Sequence, residues 1–158
     1  MASKKLTAEE VKSLYERHGP ALAAYACCCG LDFASAEDVV QRVFLKILRT
    51  DQPAPQQPLA YAYRAVRNAT INLRRDRKRE TDLPENEPWL VHAGGKPEET
   101  LAIQRALREL PTEQQETVFL RIWSGMTLQE IADATETPLN TVASRYRYAL
   151  EKLRERLK

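Results

Sequence analysis

The chain has 158 residues, 43% of them hydrophobic, enough for one ordinary domain or two small ones with cores of their own. Charged residues make up 29% and glycines number only five; long runs of Ala, Leu, Arg and Glu lack strand-like alternation, which favours an all-α protein. No apolar run approaches the roughly 18 residues that span a bilayer, and the opening MASKKLTAEE has no apolar signal core, so the expected location is cytoplasmic with no membrane partner.

The net charge of +2 conceals a segregation along the chain. Between Arg64 and Arg79 the bases are opposed by Asp76 alone, and between Glu80 and Glu99 the acids are opposed by Lys96 alone. With the basic tail from Arg145 onward, two basic segments flank an acidic bridge.

In chain order, Thr7 and Glu10 have the spacing of a capping box, which starts a helix running to about Cys29, where Gly30 stops it. Cys27, Cys28 and Cys29 are adjacent on that helix. Three consecutive helical positions can neither pair as a disulfide framework nor converge on a tetrahedral metal. They read as small buried apolar residues in a reducing compartment, with redox or metal sensing as the lesser reading. Ser35 precedes Ala36, Glu37 and Asp38 as a helix start, and Val39, Val40, Val43, Phe44, Ile47 and Leu48 form one apolar stripe.

Pro53, Pro55 and Pro58 make TDQPAPQQP a loop, and Pro58 suits the first turn of a third helix with Leu59, Tyr63, Val66, Ala69, Ile71 and Leu73 inward. A first domain over residues 5–79 follows. Residues 80–97 read as an extended, flexible acidic linker with three prolines and a Gly-Gly pair. Within it Trp89, Leu90 and Val91 either dock on a neighbouring surface or form a loose apolar patch. A second domain spans residues 98–158. Its signals are a helix over Glu98 to Glu109 and a capping box at Thr112 and Gln115, with Gly125 ending that helix. A further capping box at Thr127 and Glu130 follows, then Thr137 as cap of a last helix with Pro138 first and Leu139, Val142, Tyr146, Ala149, Leu153 and Leu157 inward.

A short helix, a tight turn and a longer helix form a helix-turn-helix, whose second helix enters the major groove of DNA. The outward face of that helix carries Asn140, Thr141, Ser144, Arg145, Arg147 and Tyr148. Asn and Arg suit base edges; Ser, Thr and Arg suit phosphates. An ordinary helical hairpin with a solvated face is the plainer alternative, and Glu136 stands where such turns often carry glycine. In the first domain, RNATINLRRDRKRE sets arginines beside Tyr61 and Tyr63, a combination suited to single strands with exposed bases.

With these motifs in place the sequence resembles the two-domain, extracytoplasmic-function (group IV) sigma factors of bacterial RNA polymerase, within the sigma-70 family. SAEDVVQRVFLKIL resembles the core-binding helix, PLAYAYRAVRNATINLRRDRKR the minus-ten helix, and the segment from LPTEQQ to LRERL the minus-thirty-five domain. The resemblance implies core-polymerase contact through Asp38, Gln41, Arg42 and Phe44. It implies minus-ten contact through Tyr61, Tyr63, Arg67, Asn68, Arg74 and Arg75, with an unstacked base held near the Asp51–Gln57 loop. Asn140, Thr141, Ser144, Arg145 and Arg147 would read the minus-thirty-five element. Tyr61 stands where tryptophan is frequent, Arg42 where an acid is common and Ala143 where lysine is common. The implied partners are the polymerase core and promoter DNA, both duplex and single-stranded non-template strand. Many members are also held by an anti-sigma factor.

The competing reading is a self-sufficient helix-turn-helix regulator, which would normally dimerise on two half-sites; the N-terminal helices show no sustained heptad seam for that. No Gly-rich phosphate loop, metal-spaced ligand set or nucleophile-base pair is present in the sequence, so neither an enzyme nor a cofactor is expected.

Overall fold

Seven α-helices and one 3-10 helix make up the computed structural model, which describes residues 4–76 and 87–157 and holds no strand among them. The first three are α1 (Ala8–Cys28), α2 (Phe33–Arg49) and α3 (Pro58–Asp76). The 3-10 helix (Leu90–Ala93) then leads to α4 (Pro97–Arg108), α5 (Thr112–Ile122), α6 (Leu128–Thr135) and α7 (Leu139–Arg156). Among the described residues no helix is long and apolar enough to cross a membrane.

Helix α1 opens on the capping box: Glu10 N donates to Thr7 Oγ1 at 3.1 Å, and Thr7 N to Glu10 Oε1 at 3.3 Å. It stops at Gly30, whose φ of +111° is open to glycine, and a Cβ there would sit 2.8 Å from Arg74 Cζ. Arg74 Nη1 donates to Cys29 O at 2.9 Å, placing a cation where the helix dipole is negative.

Three of the other helix starts, those of α2, α5 and α7, correct the sequence reading. Asp32, not Ser35, caps α2 and accepts from Ser35 N at 3.1 Å, so the helix begins a turn earlier. Pro111 occupies the cap of α5; Thr112 is already helical, and Gln115 Nε2 instead donates to Leu110 O at 2.8 Å. Pro138 occupies the cap of α7, while Thr137 Oγ1 donates to Thr135 O at 3.0 Å. Gly125, with φ +68°, closes α5 as expected, and Met126 N donates to Leu120 O at 3.0 Å. Four apolar residues expected inside lie at the surface: Leu48, Ile71, Leu139 and Leu157 are all more than 40% exposed.

Every residue from Leu22 to Cys29 is buried. Packing against α2 and α3 accounts for part of this shell, and the 3-10 helix and α5 cover the rest. Tyr25 joins the halves, with its ring centroid 5.3 Å from Tyr63 of α3 and 5.7 Å from Phe119 of α5. One apolar core thus runs through both domains.

Residues 87–96 correct the expectation of an extended linker; residues 80–86 of that linker lie outside the described residues. Trp89 and Leu90 are buried, and His92 stacks on Phe33 with centroids 4.1 Å apart. The buried amide of Gln104 fixes the segment: its Oε1 accepts from Trp89 N at 2.9 Å and Leu90 N at 3.1 Å, and its Nε2 donates to Glu87 O at 2.9 Å.

Burial pushes the Cys27 thiol up to about 12, and Cys28 and Cys29 are raised as well. All three are neutral packing groups at ordinary pH, a state that suppresses thiolate chemistry. On unfolding, a thiol returns towards its ordinary value of 9.0 and loses its proton first. Stability should therefore be unaffected by Cys27 below that value and fall as pH rises between it and about 12, by about 1.4 kcal/mol per pH unit. Urea unfolding of the wild type and Cys27→Ala across this range checks it: the variant should lose that much of the alkaline slope.

Candidate nucleic-acid interface

Three surfaces carry the residues that the sequence singled out. On α2, Asp38, Gln41 and Arg42 are exposed, and Arg42 Nη2 pairs with Asp38 Oδ2 at 3.0 Å one turn away. Phe44 does not join them. It is buried edge-on to Tyr15, centroids 5.2 Å apart, and fastens α1 to α2. The exposed apolar members of this face are Leu45 and Leu48, at 47% and 41% exposure. Leu45 follows Gln41 by four positions, so its place on the same face was legible from helical period.

The second surface is an open groove of about 650 Å³ between α2 and α3, lined by Arg42, Lys46, Tyr61, Arg64, Asn68 and Asn72 among others. Tyr61, 47% exposed, also lines a smaller pocket of about 200 Å³ with Lys5, Ile47, Pro53 and Pro55, beside the loop expected to hold a base. Tyr61 and Asn68 are thus together on the groove. The other four residues assigned to minus-ten contact are not. Tyr63 is buried against Tyr25, a correction to its assigned contact role, because its ring completes the core. Arg67 turns towards α5, Arg74 caps α1, and Arg75 lies exposed at the end of α3 with its Nε 4.0 Å from Asp76 Oδ1. Lys46 and Asn72 were not singled out from the sequence. Lys46 falls on the exposed side of α2, and Asn72 is one turn beyond Asn68.

Arg67 meets an unusual partner. Glu116 of α5 is 7% exposed, and its Oε1 accepts from Arg67 Nε and from Tyr25 Oη, each at 2.5 Å. Burial opposes the Arg67 charge, but the hydrogen bond and nearness of Glu116 outweigh it and hold the guanidinium protonated. Burial first, then the neighbouring Cys29 and Glu116, raise the Tyr25 hydroxyl well above its ordinary value, so it remains a donor.

The third surface is the helix-turn-helix. Glu130 N donates to Thr127 Oγ1 at 3.0 Å and Thr127 N to Glu130 Oε1 at 2.9 Å, opening α6. Glu136 takes the left-handed conformation at φ 52°, ψ 45° that glycine adopts more cheaply, and the chain turns into α7. Along α7, Asn140 and Arg147 are exposed, while Thr141, Ser144 and Arg145 are partly so. Arg147 lies over the exposed Tyr148 ring at 5.1 Å. Helix α6 packs on α3, and Arg64 Nη2 of α3 pairs with Glu136 Oε1 at 2.5 Å. Among the described residues no group of three His, Cys, Asp or Glu could hold a metal ion.

Comparison with known proteins places the same segments in order. Residues 14–80 match the family Sigma-70 region 2, and residues 100–153 match Sigma-70, region 4. The ECF RNA polymerase sigma factor RpoE of Cereibacter sphaeroides is 32% identical over 127 residues, covering 77% of this chain and 70% of that protein. The sigma factor RpoE of Bartonella quintana, in its co-crystal structure with the anti-sigma factor NepR, shares the fold with a TM-score of 0.76. That alignment covers 94% of this chain and 97% of the other at 23% identity.

The two arginine pairs should differ sharply in worth. Arg67→Ala leaves a buried carboxylate short of its cation and should cost about 3–5 kcal/mol of stability, whereas Arg64→Ala removes an exposed pair worth under about 1 kcal/mol. Denaturant midpoints of the two variants measure the difference; equal costs would contradict the burial of the Arg67 pair.

Proposed function

The chain belongs to the extracytoplasmic-function group of the sigma-70 family, and from that premise we propose that it binds core RNA polymerase and directs promoter-specific initiation. In this reading residues 5–79 bind core and open the minus-ten element, and residues 98–158 read the minus-thirty-five element. The observation that carries it is the presence, on one chain, of two surfaces of different chemistry: an open groove with a half-exposed aromatic, and a helix-turn-helix. A duplex-reading regulator has use for the second alone.

The strip of Asp38, Gln41, Arg42, Leu45 and Leu48 is suited to a protein partner, because it combines exposed leucines with a charged pair that orients docking. Tyr61, Asn68 and Asn72 suit unpaired bases, since every base offers a face to stack on and amide groups pair with base edges. Flipping a base costs a few kcal/mol, which stacking on Tyr61 and enclosure by the Pro53–Pro55 wall would offset. On α7, Asn140 is the candidate for base-edge contact near the helix start, and Thr141, Ser144, Arg145 and Arg147 for further base or phosphate contacts. The regulatory partner implied by family membership is an anti-sigma factor.

Size exclusion with core polymerase and run-off transcription test this reading. Co-elution with specific transcripts is expected. Asn140→Ala should weaken minus-thirty-five-dependent transcription about 5- to 150-fold, the worth of one good base contact, without affecting co-elution. Absence of both co-elution and transcripts, with tight duplex binding by the chain alone, would leave a self-sufficient helix-turn-helix regulator.

A further inference from the structure

We propose that residues 4–6 belong to the strand-binding surface. Lys4 fixes loop 51–57 as a wall without free main-chain donors, so the pocket beside Tyr61 takes a base that bears an amino group, and Lys5 holds the phosphate of that nucleotide. The proposal rests on the reading of the groove given above, in which unpaired bases meet Tyr61. Residues 4–6 precede α1 in the chain, yet they lie against the loop between α2 and α3. Ala54 N donates to Lys4 O at 2.7 Å, and Lys5 Nζ stands 3.8 Å from Asp51 Oδ1. Lys5 and Leu6 both line the pocket of about 200 Å³ that also holds Pro53, Pro55 and Tyr61. This volume is below the roughly 300–1,000 Å³ of ordinary ligand clefts and suits a single base. Tyr61, Thr50 and Gln52 border both this pocket and the larger groove, so a strand lying in the groove can turn one base into it.

Hydrogen-bond accounting along the wall sets the class of base. Pro53 and Pro55 have no N–H, Gln52 N donates to Thr50 Oγ1 at 3.2 Å, and the one remaining N–H, that of Ala54, is taken by Lys4 O. From residues 52 to 55 the main chain therefore offers a ligand carbonyl oxygens alone. The hydroxyls of Thr50 and Tyr61 and the side-chain amide of Gln52 rotate to serve a donor or an acceptor, so they discriminate little. The fixed carbonyls do discriminate. Adenine, cytosine and guanine each carry an exocyclic amino group that donates to such an oxygen, whereas thymine has none and presents two carbonyl oxygens of its own. Thymine is the base this pocket refuses. Lys5 adds the charge: its side chain is 42% exposed and its partner Asp51 fully so, which leaves a loose pair that a phosphate can replace.

The test uses the chain in complex with core polymerase, as wild type, Lys5→Gln and a deletion of residues 2–5 that leaves Leu6 and the Thr7 cap of α1 in place. The probes are fluorescent single-stranded oligonucleotides carrying the non-template strand upstream of a mapped start site, with each minus-ten position presented in turn as all four bases. At one position the wild-type complex should bind thymine about 2- to 12-fold more weakly than any other base, the worth of one hydrogen bond. The deletion frees the Ala54 N–H, so the penalty on thymine should vanish at that position while preferences elsewhere persist. Lys5→Gln should instead weaken all four bases alike and lower the slope of log affinity against log salt by about 0.7, the single-strand value for one phosphate. Should the wild-type complex retain the strand but refuse thymine at no position, or the folded deletion keep the penalty, the brace is overturned and the reading of the groove stands. A salt slope unchanged by Lys5→Gln overturns the phosphate contact. If the deletion does not fold, the wild-type base series and Lys5→Gln decide the matter. Failure of the core complex to retain any strand overturns the reading of the groove and the proposal with it.

Discussion

The structure depends on the second half of α1 being apolar all round. From Leu22 to Cys29 the sequence LAAYACCC offers no polar face except the Tyr25 hydroxyl, so a helix that would ordinarily need one covered stripe needs a complete sheath. Two neighbouring helices cannot supply it. Helices α2 and α3 cover what they can, and the remainder recruits the 3-10 segment and α5 from the far side of the chain. The interdomain arrangement follows from that requirement, because pulling the C-terminal domain away would expose apolar surface at about 25 cal/mol per Å².

The backbone amides and the carboxylate inside this contact find partners, while the buried Trp89 Nε1 meets no acceptor among the described residues. Gln104 satisfies two backbone N–H groups and one carbonyl of the incoming segment, which lets Trp89 and Leu90 enter the core without stranding their amides. Glu116 enters the same interior as a charge and is tolerable there because Arg67 and Tyr25 both donate to it. The consequence reaches the functional surfaces. Of the bases on the described part of α3, Arg67 supports the domain contact, Arg74 supports the end of α1 and Arg64 pairs with the helix-turn-helix, so the strand-binding potential of this helix depends on which partners it currently holds.

Legibility in the sequence followed locality. Capping boxes at Thr7 and Thr127, the glycine stop at Gly125 and proline at the start of α3 depend on neighbours within a turn, and each was readable. Where two nearby residues could serve as a cap, as with Asp32 and Ser35, the choice depended on where the preceding turn left the chain. Phe44 and Tyr63 show a different failure: family motifs put them in functional segments, but aromatic rings on an inward face are drawn into the core. The docking of Trp89 and the closing of the domains are long-range, yet a signal existed, since a fully apolar half-helix announces that something further must cover it. Glu136 could not have been foreseen as a partner of Arg64, because residues 72 positions apart share no pattern.

The most direct measurement is small-angle X-ray scattering of the free chain in dilute solution. A sheathed α1 with both domains closed on it predicts a single compact particle, with a radius of gyration near the value of about 15 Å that holds for folded chains of 158 residues. A radius well above that, with the scattering of two separately moving bodies, would mean that the apolar half of α1 is not covered by the C-terminal domain and would contradict the account.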